Sequence, residues 1–233
     1  MAGKVKEKGP NLSNEKMQGR NAHCQVPHKP AEDEQAIEKL IEHIPDWAGK
    51  SFTWQPVPGG VTNRNYKIVI DNRPYFISIA GNHHQLLGVD FNNKCYNNRV
   101  CADLGISPEI IYSAPSDCVL VSDFLHYPAL SVNCLQQQDY RQQLLHVLKK
   151  LHSGPNFQNE FDMFKLINNY LQIIDDKAIT LPADSQKVLS AVHRIGNALS
   201  PYRSNLVPCH NDCIPGNLLG DGNRVYLIDF DYS

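Results

Sequence analysis

The sequence predicts an α+β protein of two lobes, an N-terminal antiparallel sheet lobe followed by a mainly helical C-terminal lobe. Three observations predict it. Short alternating apolar runs separated by turn residues fill positions 51–79 and recur at 110–121. After Phe124 the apolar spacing changes to the three- and four-residue recurrence of helices. A polar loop and a tight hairpin then lie between Cys209 and Ser233. With 233 residues, 42% of them hydrophobic, the chain can bury a sizeable core. The expected boundaries are a disordered polar tail over 1–33, a sheet lobe over 34–124 and a helical lobe over 125–233.

The tail carries Lys4, Lys6, Lys8 and Lys16 and no usable periodicity. Ala36, Ile37, Leu40, Ile41 and Ile44 recur at helical spacing until Pro45 stops them. Positions 51–57 read as a strand. Tyr66, Ile68 and Ile70 mark a second, and Asp71-Asn72-Arg73-Pro74 is a turn into a third, Tyr75-Phe76-Ile77-Ser78-Ile79. An Asn-rich stretch reads as a helix ending at Gly105, with strands at 110–112 and 118–121 after it. Three amphipathic stripes follow: Tyr140 to Leu151, Phe161 to Ile174 and Val188 to Leu199. Each is expected to be a core face.

Charge and composition exclude some partners. Twenty-two basic and 24 acidic residues leave a net charge of −2, so no global field recommends nucleic acid or an anionic membrane. No apolar run approaches a bilayer span and no signal peptide is recognisable, so a cytoplasmic protein is expected. The seven cysteines form no Cys-x2-Cys pair. Cys209-His210-x-Asp212-Cys213 has metal-ligand residue types but no second ligand pair, and ordinary reduced thiols are the expected reading.

Chemistry concentrates in Cys209-His210-Asn211-Asp212-Cys213-Ile214-Pro215-Gly216-Asn217 and Ile228-Asp229-Phe230-Asp231. Asp-x4-Asn followed by a distal Asp is the arrangement that Mg-dependent phosphoryl transfer needs. Asp212 would orient or deprotonate an acceptor hydroxyl, and Asn217 and Asp229 would hold Mg. A surface turn also favours Asp and Asn, so the spacing gains its weight from the hairpin around Gly220-Asp221-Gly222-Asn223. With Asp221-Gly222 at the tip, Asn217 is expected opposite Tyr226, about 10 Å from Asp229 along the ribbon. Near the other end, Pro58-Gly59-Gly60-Val61-Thr62-Asn63-Arg64-Asn65-Tyr66 joins the first two strands. Its glycines allow close backbone approach to phosphates, and Thr62 and Asn63 would add donors; an ordinary hairpin loop also carries Gly-Gly.

These segments together resemble the choline/ethanolamine kinase family, within the aminoglycoside-phosphotransferase-like group. The matching pieces are Ile44-Pro45-Asp46-Trp47, the segment 59–66, Leu104-Gly105-Ile106-Ser107-Pro108-Glu109, Leu151-His152, His210-Asn211-Asp212 with Asn217, and Ile228 to Ser233. The resemblance implies a bilobal protein-kinase-like fold, ATP and Mg as cofactors, and a small amino alcohol, choline or ethanolamine, as acceptor. It implies Asp212 as catalytic residue, Asn217, Asp229 and Asp231 at the metal, and Gly59, Gly60, Thr62, Asn63 and Asn65 around the nucleotide. His210 is expected to support the loop by hydrogen bonding. Thiamine, a sugar or an aminoglycoside are alternative acceptors, and a nucleotide-binding pseudokinase is the rival of a different class.

Two departures from the family stand out. Relatives carry Arg or Lys in the third strand and a Glu in the following helix; the positions here read Ser78 and Lys94. Either Lys94 reaches the nucleotide phosphates from the helix, or the nucleotide site is degraded and binds without efficient turnover; the plain reading of Lys94 is a solvated helix residue. Relatives also continue past the Asp-Phe-Glu/Asp-Tyr segment into helices that build the acceptor pocket, so a sequence truncated at its C-terminus is expected.

Overall fold

The computed structural model describes residues 30–58, 63–81, 84–202 and 206–233. Most of the expected tail lies outside them, as do Gly59, Gly60 and Thr62. Helix α1 (Pro30–His43) begins inside the segment expected to be tail. Asp33 explains the earlier start, because it is fully buried and ion-paired with Arg64 at 2.5 Å. Strands β1 (Phe52–Val57), β2 (Asn63–Ile70) and β3 (Arg73–Ala80) follow as an antiparallel meander. Helix α2 (Phe91–Asp103) then crosses to β4 (Ile110–Ala114) and β5 (Val119–Asp123). The sheet order is β1-β2-β3-β5-β4.

Strand alternation assigns the two sheet faces different work. Tyr66, Ile68, Ile70, Tyr75, Ile77, Val119 and Val121 pack with Ile37, Leu40, Ile41 and Ile44 of α1. Each of these helix side chains contributes about 2 kcal/mol by leaving water. Asn63, Asn65, Phe76, Ser78, Leu120 and Ser122 point from the other face into a cleft. Asp90 caps α2 by accepting from Asn92 and Asn93 N–H groups. Gly105, at φ +67°, turns the chain out of it.

Beyond β5, α3 (Val132–Leu135), α4 (Gln138–His152), α5 (Met163–Asp176) and α6 (Ser185–Leu199) form the helical part, with the hairpin β6 (Leu218–Gly220) and β7 (Val225–Leu227). Val147 and Leu151 of α4 join Leu218, Leu227 and Phe230 in a second core. The other stripes do not become core faces as expected. Helices α5 and α6 bury no residue, and Val188 is 60% exposed. They touch each other where Phe164 covers Gly196, and α5 reaches Gly88 through Leu166. No helix among the described residues is long and apolar enough to cross a membrane.

The Asp33–Arg64 pair docks α1 beside the buried Tyr66, whose hydroxyl is held neutral far above its usual range by burial and by Asp33. Asp33→Ala strands the guanidinium there and is expected to lower the unfolding free energy by about 3 kcal/mol. A urea denaturation midpoint checks this.

Candidate active site

A cavity of about 520 Å³ lies under the free sheet face. Its roof includes Asn63, Asn65, Phe76, Ser78 and Leu120, and its floor Asn217, Leu219, Ile228 and Asp229; Lys94 and Asn98 of α2 reach it from one side. The chain crosses between lobes at Asp123, Phe124 and Leu125, which also line it.

The floor is built by the loop expected from the sequence. Asn217 donates through Nδ2 to the Asp212 carboxylate, 2.9 Å to Oδ2, and to the Asp212 carbonyl at 3.0 Å. This fixes Asp212 against the start of the hairpin and leaves Asn217 Oδ1 for another partner. His210 is buried and has its pKa lowered by that burial. Its Nδ1 accepts from the Asp212 N–H at 3.2 Å, so Nε2 carries the hydrogen and donates to the Ile228 carbonyl at 2.8 Å. Both nitrogens are spent on joining the loop to the hairpin, and neither remains for a metal or a proton transfer.

The hairpin register differs from the expected one by two residues. Leu219 pairs with Tyr226, and Ile228 N–H donates to Asn217 O at 3.0 Å. Asn217 therefore lies opposite Ile228, and Asp229 is the next residue on. The cause is a tip one residue further along: Asp221 N–H donates to the Arg224 carbonyl at 3.3 Å and its Oδ1 accepts from the amides of Asn223 and Arg224, so Gly222-Asn223 makes the turn. Asp229 itself sits at φ +68°, a backbone state costly for a residue with a side chain and typical of functional positions.

Lys94 is 4% exposed, with Nζ in contact with Asp231 Oδ1 and 3.9 Å from Asp229 Oδ1, so it is no solvated helix residue. Asp231 is engaged on its other oxygen by Asn63 Nδ2 at 3.1 Å. Both of its oxygens thus face protein donors, which places Asp231 behind Asp229 as an anchor. Ser78 stands opposite Asn65 and Leu120 on the cleft face, where its small side chain leaves room.

Asp229 titrates abnormally, its pKa pushed up to about 7. Desolvation is the first cause and the Asp231 charge the second, with Lys94 pulling the other way. Its side chain is 42% exposed, but that exposure opens into the walled cleft. Loss of water contact there and a crowd of negative charge both disfavour the carboxylate, and an incoming cation would relieve both. Among the described residues no three His, Cys, Asp or Glu side chains form a metal cage. A carboxylate plus an amide oxygen nevertheless suits Mg, which takes one or two carboxylates and completes its shell with water and phosphate. Asn65 Oδ1, buried in the roof without a hydrogen-bond partner among the described residues, is a further group that a ligand would satisfy.

Sequence reasoning missed the asparagines of α2. Asn93 and Asn97 donate to the Ser233 carbonyl at 2.7 and 2.9 Å, and Asn98 donates to Lys94 O at 2.9 Å. The signal was present: asparagine is a poor helix former, and this helix holds it at 92, 93, 97 and 98.

A five-stranded sheet over a helical lobe, with an Asp–Asn loop and a distal Asp in the cleft between, defines the two-lobed, protein-kinase-like class. Comparison with known proteins narrows the class. The model of the choline/ethanolamine kinase family matches residues 54–233. The chain belongs to that family. Protein LicA of Haemophilus influenzae is 29% identical over 180 residues, 75% of this chain and 52% of the relative. The chain spans about half to two thirds of the length of such curated relatives. The crystal structure of a choline/ethanolamine kinase family protein from Mesorhizobium loti aligns with a TM-score of 0.68 at 24% identity, covering 85% of this chain and 65% of that one. Choline kinase LicA from Streptococcus pneumoniae aligns at 0.71 and 22%, covering 86% and 69%. These two likenesses carry the fold.

The raised Asp229 pKa sets a pH dependence. A divalent ion bound by the carboxylate would compete with its proton, so affinity is expected to fall about tenfold per pH unit below 7 and to level off above it. Mn2+ titrations at pH 6, 7 and 8 measure this, and Asp229→Asn is expected to abolish both the binding and its pH dependence.

Proposed function

We propose that this protein transfers the terminal phosphoryl group of ATP to the hydroxyl of a small amino alcohol, choline or ethanolamine. The observation that carries the reading is the Asn217 side chain, which lines the inter-lobe cleft with Asp229 and holds Asp212 at 2.9 Å. Family membership supplies the reaction class.

The adenine would lie between Phe76 and Leu120 above and Leu219 and Ile228 below, beside the crossing at 123–125. Its phosphates would run toward Asp229 beneath Asn63 and Asn65. Asn217 and Asp229 would hold Mg, which neutralises the phosphate charge when bound. Lys94 would add its ammonium from α2, doing from the helix what a strand cation does in relatives. Asp212, with Oδ2 tied to Asn217, would turn Oδ1 to the acceptor hydroxyl and take its proton. The acceptor oxygen then bonds the γ-phosphorus as the bond to ADP breaks.

An aromatic pair favours an amino alcohol. Phe161 and Tyr232 meet edge to face, with ring centroids 6.1 Å apart. The Tyr232 hydroxyl is pushed up to about 12, first by burial and then by negative neighbours that include Asp212. A π face close to carboxylates suits an ammonium or trimethylammonium group.

Mg-dependent ADP formation by the intact, folded protein is expected to be stimulated by choline or ethanolamine. Nucleotide binding without turnover across a panel of amino alcohols would sink the reading and leave a pseudokinase. Asp212→Ala is expected to lower turnover about 10²- to 10⁴-fold with nucleotide affinity unchanged, read by steady-state kinetics beside a binding titration.

A further inference from the structure

Kinase sites of this class bring two divalent ions to the nucleotide, on the Asp that follows the hairpin and on the catalytic-loop Asn. Here a tethered cation already faces Asp229. Lys94 Nζ lies 3.9 Å from Asp229 Oδ1, and at 4% exposure the side chain has no open solvent to swing into. Its backbone carbonyl accepts from Asn98, its own N–H donates to Asp90 O at 2.9 Å, and its ammonium sits 5.1 Å from the Phe91 ring centroid. The charge is fixed in place.

The remaining donors are few. Asp231 has one oxygen on Lys94 and the other on Asn63. Asp229 and Asn217 line the cleft, with Asp212 held by Asn217. Such a set suits one hard cation completed by phosphate oxygens and water. A second dication on Asp229 would stand close to the ammonium, and repulsion between the two grows as water is excluded.

We propose that Lys94 takes the place of the second divalent ion, so that this protein binds nucleotide with one Mg2+, held by Asn217 and Asp229. The inference rests on the kinase reading above and adds that the substitution of Lys for the helix Glu changes the metal stoichiometry. A lysine there does more than restore a lost phosphate contact. It gives the site a permanent positive charge that no chelator removes.

The test counts ions without relying on turnover. Mn2+ is titrated into the protein saturated with a non-hydrolysable ATP analogue, and the electron paramagnetic resonance signal of free Mn2+ reports how many ions bind. One tightly bound ion per nucleotide-loaded protein is expected for the wild type and for Lys94→Arg, and two for Lys94→Met. Lys94→Gln, which keeps a donor toward Asp231, carries the same expectation of two should the Met variant fail to fold. Two tight ions in the wild type, or one in a folded neutral variant that still binds the analogue, overturn the inference and leave the kinase reading standing. Failure of the wild type to bind the analogue at all overturns both.

Discussion

One buried ammonium holds the cleft together. Lys94 meets Asp231 directly and Asp229 at longer range, and Asp231 in turn receives Asn63 from the root of β2. Three parts of the chain therefore converge on a single positive charge: helix α2, the strand that follows the glycine segment, and the residues after β7. Removing one member of such a pair leaves a desolvated charge, at a cost on the order of 3–5 kcal/mol. The polar contacts of Asn93 and Asn97 with Ser233 reinforce the same junction from the same helix. Asp229 owes its backbone position to this frame, because a φ of +68° persists only where the surroundings enforce it.

The frame also gives the exchange at Ser78 and Lys94 a physical sense. The family pattern sets a cation on the sheet and an anion on the helix. This chain sets a small hydroxyl on the sheet and the cation on the helix. Lys94 on one wall and Ser78 on the roof line the same cavity. Electrostatics depends on where a charge sits, and the backbone that carries it is secondary.

The helical part is less enclosed than its sequence stripes suggest. Helix α4 reaches the second core through Val147 and Leu151, whereas α5 and α6 turn much of their apolar faces to solvent. A stripe records that a helix has an apolar side; it does not record what lies against it. The apolar burial that positions the Asp212 loop comes instead from Leu218, Leu227 and Phe230, with His210 tilted against Phe230 at 4.6 Å.

Much of the molecule was legible in the residues alone. Period-two alternation in Tyr66-Lys67-Ile68-Val69-Ile70 and the helical recurrence through Ile37, Leu40 and Ile41 are local consequences of backbone geometry, and both appear as expected. Asp212, Asn217 and Asp229 were legible as a group because their separations along the chain are short. The hairpin register was not, because it turned on whether the Asp221 side chain would bind two backbone amides and move the tip one residue along. Lys94 was legible as a departure but not as a buried ion pair: 137 positions separate it from Asp231, a separation fixed only when α2 docks beside the end of β7. Local preferences therefore determined the elements and the residue types of the site. Tertiary packing alone decided which charges meet, since ion pairing depends on distance in space and folding sets that distance independently of sequence separation.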